Sequence, residues 1–489
     1  MHPEVPAETS LDPDDWDELR RLGHRMLDDE FDALEALRQA PVWQRQPGSA
    51  DEAWREPLPL RPTPLQKVYA TYRRSIAPYG NGNRHPRFFG WVHGGGTPVG
   101  MLAEMLAAGL NSNLGGRDHA PIGCERQVIR WAAELLGLPS ESSGLLVTGT
   151  SIANFMAVLI ARTAALGPGV REQGLADSHL VAYASAAVHG CVAKACDMAG
   201  LGSHHLRLIE CTDSGAINLA SLRAALRADS ERGMRPFLVV GTGGSVDTGA
   251  IDDLAGLARF CRAERLWFHV DAAFGAIAMM SARLRPLFAG IEQADSVAFD
   301  FHKWAQVPYD AGCLVVRDRT AHLATFRRPA AYLARNRRGL AAGDPWPCDL
   351  GPDLSRGFRA LKVWMTLKAF GAEGLGRCVE QSCRLAQRLA ARIDANLLLE
   401  RVAPVPLNIV CFRFRPGGDD IQAAIAAELQ ERGIAAPSTT VIDGRVVLRA
   451  AIVNHRTRGE DVDVLADSVV ATGLRMDGIA VCQASQIAV

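Results

Sequence analysis

Phe299-Asp300-Phe301-His302-Lys303-Trp304 follows directly on Asp295-Ser296-Val297-Ala298, an apolar run that reads as a short buried strand. A lysine just past such a strand, with a histidine before it and a tryptophan after it, is out of its usual place, because lysine is mostly a solvent residue. Apolar and aromatic company desolvates the side chain. Desolvation disfavours the ammonium and makes the amine a usable nucleophile toward an aldehyde. Taken alone, Lys303 also has an ordinary reading, an amine that snorkels to water from a strand end.

Outward from this stretch the pattern repeats. Leu145-Leu146-Val147 precedes a helix starting near Ile152, and Leu180-Val181-Ala182-Tyr183-Ala184 precedes one near His189. Leu206 to Ile209, Phe237 to Val240, Leu266 to Val270 and Cys313 to Val316 read as further strands. Strands alternating with helices from Gly144 to about Val316 predict an α/β fold, a mostly parallel sheet flanked by helices on both faces. Ligands of such sheets bind beyond the carboxyl ends of the strands.

Before this unit, Trp16, Leu19, Leu22, Met26, Phe31, Leu34 and Leu37 recur at helical spacing between about Asp12 and Ala40, with Ser10 and the acidic run behind it suited to the helix start. A proline-rich connector and a second amphipathic helix ending near Pro78 complete an N-terminal helical arm, residues 1–84. Too small to bury its own apolar face, the arm is expected to pack on a second subunit or on the main body, which favours a dimer. A large domain follows, residues 85–355, opening on His85-Pro86-Arg87-Phe88-Phe89-Gly90-Trp91 with helices expected at Pro98–Leu110 and Ile122–Leu136. Residues 356–489 read as a smaller C-terminal α/β domain, with helices at Leu361–Gly371, Val379–Asn396, Ile421–Arg432 and Glu460–Thr472 and strands at Ile409–Arg413 and Arg445–Ala451.

A net charge of −1 over 489 residues provides no field for nucleic acid or an anionic membrane surface. No apolar run reaches the roughly 18 residues of a membrane span, and the acidic N-terminus lacks an apolar signal core. The eleven cysteines contain no Cys-x-x-Cys pair and sit in apolar segments, as reduced thiols of a cytoplasmic protein do.

The residues with chemistry gather at the strand ends. Thr148-Gly149-Thr150-Ser151 lies between a strand and a helix, where hydroxyls and helix N-terminal amides can hold a phosphate. His189 follows another strand, and an imidazole can stack on a ring and carry protons near neutrality. Gly241-Thr242-Gly243-Gly244-Ser245 is a further strand-end turn with hydroxyls to spare. Asp271, in His269-Val270-Asp271-Ala272-Ala273-Phe274, ends a strand, and an ionised carboxylate there would keep a pyridine nitrogen protonated. Each residue alone also reads as a cap, a turn or a core histidine. Together, with a lysine some thirty residues after the aspartate, they are the parts that bind pyridoxal phosphate. The Gly-x-Gly-x-x-Gly of a dinucleotide fold is absent after the first strand, and no spacing points to a metal.

The chain resembles the group II pyridoxal-phosphate amino-acid decarboxylases, the family of the aromatic-amino-acid, tyrosine, glutamate and histidine decarboxylases. The likeness runs from about His85 to Arg475 and is most specific at HPRFFGW, HVDAAF, FHKW and Leu448-Arg449-Ala450-Ala451-Ile452-Val453-Asn454-His455-Arg456-Thr457. It implies a fold-type-I homodimer with the active site shared between subunits. It implies that Lys303 carries the cofactor as a Schiff base, that Asp271 pairs with the pyridine nitrogen, that His189 stacks on the ring and that Ala273 packs beneath it. Thr150, Ser151 and His302 would help hold the phosphate, with Thr242 also cofactor-binding. The expected activity is decarboxylation of an L-amino acid to the amine and carbon dioxide.

In family members a tyrosine on a mobile loop of the partner subunit is linked to protonation of the product. The corresponding stretch here resembles Arg335 to Leu354, where Gly343-Asp344-Pro345-Trp346-Pro347 stands and no tyrosine occurs; Tyr332 lies just before it. Either another group supplies the proton, with His189 the first candidate, or the reaction runs as an oxygen-dependent decarboxylation and deamination to an aldehyde, which accompanies loss of that tyrosine in this family. A third reading is a cofactor-binding protein with little catalysis. For the substrate, Phe88, Phe89 and Trp91 suit an aromatic side chain, and His93, Arg117 and His119 an acidic one; the balance leans to aromatic.

Overall fold

The computed structural model describes residues 9–48, 54–175, 178–328 and 334–476. Its strands are β1 (Phe88–Phe89), β2 (Ser143–Val147), β3 (Leu180–Ser185), β4 (Leu206–Ile209), β5 (Arg235–Thr242), β6 (Trp267–Asp271), β7 (Ser296–Asp300), β8 (Gly312–Val316), β9 (Leu399–Arg401), β10 (Ile409–Phe414), β11 (Ala436–Ile442) and β12 (Arg445–Ala451). The larger sheet has the order β2-β8-β7-β6-β5-β3-β4. Strands β3 to β7 are parallel to their neighbours, and β8 alone runs against both β7 and β2.

Unbroken apolar strands are the mark of a sheet covered on both faces. Val181, Tyr183, Val239, Phe268, Val270 and Val297 pack on one face with the helices Ala120–Leu136 and Leu254–Glu264. Their neighbours Ala182, Ala184, Leu238 and Val240 pack on the other with Cys191–Met198, and Ala298 and Leu314 with Thr150–Leu166. Each large apolar side chain so buried contributes about 1.5–3 kcal/mol. The shared direction of β2, β3, β5, β6 and β7 brings the residues that follow them to one edge. At that edge the backbones close in. A Cβ on Gly312 would run into the backbone of Gly149, so β8 can reach the turn after β2 only as glycine.

The smaller sheet has the order β1-β11-β12-β10-β9. Its last four strands are antiparallel, and β1 pairs with β11 in parallel, Phe88 opposite Ala436. Strands β9 and β11 are additions to the expected pattern. The β11–β12 hairpin turns at Asp443-Gly444, both with positive φ, 49° and 73°, the two-residue turn that suits strand twist. The expected helices Leu361–Gly371 and Val379–Asn396 are one run, Arg359–Asp394, broken only at Gly371 (φ 68°, ψ 156°).

In the arm, the helix Trp16–Glu35 is capped by Asp15, whose carboxylate accepts from the Asp17 and Glu18 N–H groups, and not near Ser10. Leu22 is its buried residue. Arg38 fastens the arm to Asp461 at 2.9 Å, and Tyr69 and Tyr72 of the helix Leu65–Ser75 donate to Asp29 and Glu30. Among the described residues the cysteines are unbridged, and no helix is long and apolar enough to cross a membrane.

Candidate active site

A cavity of about 390 Å³ opens at the carboxyl edge of the larger sheet. Lys303, His302, Asp271, Ala273, His189, Thr150, Ser151 and Thr242 all line it, although the sequence spreads them over more than 150 residues. Trp91 and His93 line it from the side of the smaller sheet.

Lys303 leaves the end of β7 in a turn, half-buried. Its Nζ lies 3.0 Å from Oδ2 of Asp300, the last residue of that strand. The sequence promised an apolar setting for this amine; the structure adds a buried carboxylate beside it. Oδ1 of Asp300 accepts the N–H of Thr150 at 2.7 Å, so Asp300 also occupies the start of the helix Thr150–Leu166. His302 Nδ1 accepts the Ala311 N–H at 3.0 Å. Burial, foremost, holds its imidazole below the ordinary pKa, and the ring packs 4.3 Å from that of Tyr309.

Asp271 ends β6. Its Oδ2 accepts from Asn154 Nδ2 at 2.8 Å and its Oδ1 from the Ala273 N–H at 3.1 Å. Burial raises its pKa above the usual carboxylate range against these bonds. A cation placed beside it would reverse that balance in favour of the carboxylate. Ala273 in turn accepts the N–H of Asp300, which locks the ends of β6 and β7 together. His189 is exposed at the rim; its Nδ1 accepts the Cys191 N–H at 3.2 Å, which leaves the ring proton on Nε2.

Thr150 and Thr242 line this cavity, and their hydroxyls are buried without a hydrogen-bond partner among the described residues. Orphaned buried hydroxyls are costly unless a ligand satisfies them. Thr242 is held by Asp252, whose Oδ2 accepts its N–H at 2.7 Å. Thr150 at a helix start, Asp271 with Thr242 beside it on the neighbouring strand, and Lys303 on the same cavity fit pyridoxal phosphate.

Of the residues considered for substrate, Trp91 and His93 stack 5.8 Å apart. Phe88 is buried behind them, 5.8 Å from His93, because β1 turns it into the smaller sheet; it does not line the cavity. His119 is also elsewhere, at the start of the helix Ala120–Leu136 with Nε2 3.3 Å from the Asn113 carbonyl. Arg117 lies over the Trp346 ring. Tyr332 falls outside the described residues. Sequence reasoning assigned no role to Asp300, Asn154, His269 or Tyr309. Asp300 stood in the quoted stretch itself, and Asn154 one helical turn after Thr150.

This sheet, with a lysine and an aspartate facing one cavity at its carboxyl edge, defines a pyridoxal-phosphate enzyme. The pyridoxal-dependent decarboxylase conserved domain matches residues 47–415, and the chain belongs to that family of carboxy-lyases. It is 30% identical over 458 residues to the aromatic-L-amino-acid decarboxylase of Bacillus atrophaeus, covering 91% of this chain and 93% of that one. It is likewise 30% identical over 462 residues to the phenylacetaldehyde synthase of Arabidopsis thaliana, with 90% and 93% covered. The solved structure of Oryza sativa TDC with PLP and tryptamine superposes with a TM-score of 0.87 at 25% identity, covering 96% of this chain and all of the other.

Proposed function

We propose that this enzyme removes the α-carboxylate of an L-amino acid, aromatic in preference, to leave the amine and carbon dioxide. The observation that carries the reading is Lys303 and Asp271 lining one cavity together with Thr150 and Thr242, whose buried hydroxyls have no partner among the described residues. Bound pyridoxal phosphate supplies an electron-accepting ring for the pair of electrons that carbon dioxide leaves behind. Lys303 is the covalent anchor. Asp271 would pair with the ring nitrogen as a carboxylate and keep a proton on it. Thr150, Ser151 and His302 would hold the phosphate, Thr242, beside Asp271 on the neighbouring strand, would also meet the cofactor, and Ala273 leaves room under the ring. His189 would cover the other face, and with Nδ1 engaged by the Cys191 N–H its Nε2–H is the proton it could offer to the product. Trp91 and His93 give the substrate side chain an aromatic wall.

The same reading makes the enzyme a cytoplasmic homodimer with a shared site. Leu65, Val68 and Ile76 of the arm and Met105, Leu106 and Leu110 are apolar and exposed in the single chain, an unusual amount of apolar surface to leave in water. Its three units are the arm (1–84), the cofactor domain (85–355) and the small domain (356–489), with β1 lent to the small domain's sheet.

A second reading is oxygen-dependent decarboxylation and deamination to an aldehyde. It draws on the tyrosine-free stretch Arg335 to Leu354 and on the likeness to the phenylacetaldehyde synthase. Incubating the holoenzyme with an amino-acid panel and following products by mass spectrometry, together with oxygen uptake, separates the two. Amine and carbon dioxide without oxygen uptake are expected. Aldehyde, ammonia and hydrogen peroxide would replace the first reading by the second. A bound chromophore without any turnover would overturn both.

A further inference from the structure

The face of the larger sheet that carries Asp271 is otherwise filled with small and apolar side chains, Ala182, Ala184, Leu238 and Val240 among them. Through that layer runs a line of buried polar groups. Trp267, His269 and Asp271 alternate along β6 and so share one face. Ser296 of β7 stands in register with His269. Asn154 comes down on the line from the helix Thr150–Leu166. Asn154, His269 and Ser296 are all but inaccessible to solvent. Polar groups in such a layer are costly unless every one is satisfied, and an apolar replacement would serve packing as well.

The bonds run one way. Trp267 Nε1–H, a donor with no accepting role, donates to Ser296 Oγ at 2.9 Å. The Ser296 hydroxyl is 2.8 Å from His269 Nδ1. His269 Nε2 is 2.9 Å from Asn154 Oδ1, and Asn154 Nδ2 donates to Asp271 Oδ2 at 2.8 Å. For Asn154 to give its amide hydrogen to a carboxylate, its oxygen must face His269, and His269 must then carry its proton on Nε2. Nδ1 then accepts from the Ser296 hydroxyl, its nearer neighbour at 2.8 Å, with the Ser296 carbonyl at 3.2 Å. Burial pushes the imidazole pKa down to about 4, so the ring is neutral and holds one proton, as this order requires. Lys303, His189 and Cys191 are the other titratable groups near Asp271.

We propose that Asn154 and His269 are positioning residues for the reaction: the chain Trp267–Ser296–His269–Asn154 presents a fixed donor to Asp271 and holds its carboxylate ionised and aimed at the cofactor's ring nitrogen. This rests on Asp271 facing that nitrogen, and the test distinguishes the two failures. Holoenzyme variants His269→Leu, His269→Gln and Asp271→Asn are loaded with cofactor labelled with ¹⁵N in the ring. Three quantities are read: the ring-nitrogen chemical shift, the cofactor dissociation constant, and kcat and KM separately. In His269→Leu the shift is expected to move toward the unprotonated value, with cofactor still trapped on Lys303 by borohydride. The value of kcat should fall by roughly ten- to a hundredfold, the range that outer hydrogen-bond partners command at metal sites, while KM changes little. His269→Gln, which can still donate to Asn154, should recover most of the loss. Ser296→Ala, the mildest change, should shift the nitrogen in the same direction by less, and serves if His269→Leu does not fold. An unchanged nitrogen shift in both His269→Leu and Ser296→Ala, or in Ser296→Ala when the leucine variant does not fold, overturns the proposal. An unchanged shift in Asp271→Asn overturns instead the reading on which it rests.

Discussion

Lys303 Nζ stands 3.0 Å from Oδ2 of Asp300, a carboxylate whose other oxygen takes the Thr150 N–H at 2.7 Å. One side chain thus engages both the amine that would bind the cofactor's aldehyde and the helix start that would meet its phosphate. Asp300→Asn keeps an acceptor for Thr150 and removes the negative charge. Removing one like charge near a phosphate in a partly solvated site is worth on the order of 1 kcal/mol, about fivefold in affinity. Cofactor titration of the apoenzyme, followed by absorbance, is expected to show tighter and faster loading in the variant; weaker loading would assign Asp300 a direct role in holding the cofactor.

Lys303→Ala should abolish turnover with the circular-dichroism spectrum intact, and borohydride should then leave no cofactor on the peptide spanning residue 303. Asp271→Asn should retain the covalent attachment and lose kcat by roughly 10²–10³-fold, the usual scale for removing one charge-stabilising group from a reaction centre.

Two fully buried rings set an acid limit on stability. Burial lowers the pKa of His269 and of His322 from the ordinary 6.5 to about 4. A base with a depressed folded pKa takes up its proton first in the unfolded chain. Its contribution is therefore complete above pH 6.5 and lost as pH falls from 6.5 through 4, on the order of 3 kcal/mol for each ring. Asp252, raised to about 6 by burial, runs the other way, its contribution complete below 3.8 and lost as pH rises through 6. Asp271 and Asp295 are raised by burial as well. With His85 and His455 also lowered to about 4, the histidines outnumber these acids, so urea midpoints should fall between pH 6.5 and 4.5. The fall should be shallower in His322→Gln.

Trp91 holds its indole at the cavity rim with φ at 50°, a conformation few bulky residues adopt. Trp91→Ala should cost aromatic substrates about 1 kcal/mol of stacking, roughly fivefold in kcat/KM. Aliphatic amino acids should be hardly affected. An equal loss for both would remove the aromatic preference.

Leu65 and Val68 face water in the single chain. Buried on a second copy, each is worth about 1.5–3 kcal/mol. The double variant Leu65→Asp/Val68→Asp should weaken self-association by ~100-fold or more, seen by light scattering, and activity should fall with the dimer.

Lys303 and Asp271 were legible in the sequence because a strand end declares itself locally, by an apolar run that stops at a charged residue. Asp300 was in plain view and still carried no meaning, since its partner Thr150 is 150 residues away. Asn154 reads as any polar residue of a helix and His269 as a core histidine; only the packing of that helix on β6 joins them. Phe88 and His119 illustrate the converse. Nearness in sequence to Trp91 and Arg117 does not encode the side of the backbone a ring takes, and β1 turned Phe88 inward. Strand β11 was passed over because Ser438, Thr439 and Thr440 dilute its apolar character, although Asp443-Gly444 signalled the hairpin.

The stretch from Asn83 to Gly96 stitches the molecule's two sheets. Asn454 donates to the carbonyls of Asn83, Arg84 and His85, and Arg449 to that of Trp91. A Cβ on Gly94 would collide with the His302 and Lys303 carbonyls. Grafting the C-terminal third of a relative onto this enzyme would therefore part the Trp91–His93 rim from Lys303 unless residues 83–96 travel with the graft. Modular exchange here follows the thread of contacts and not the order of the chain.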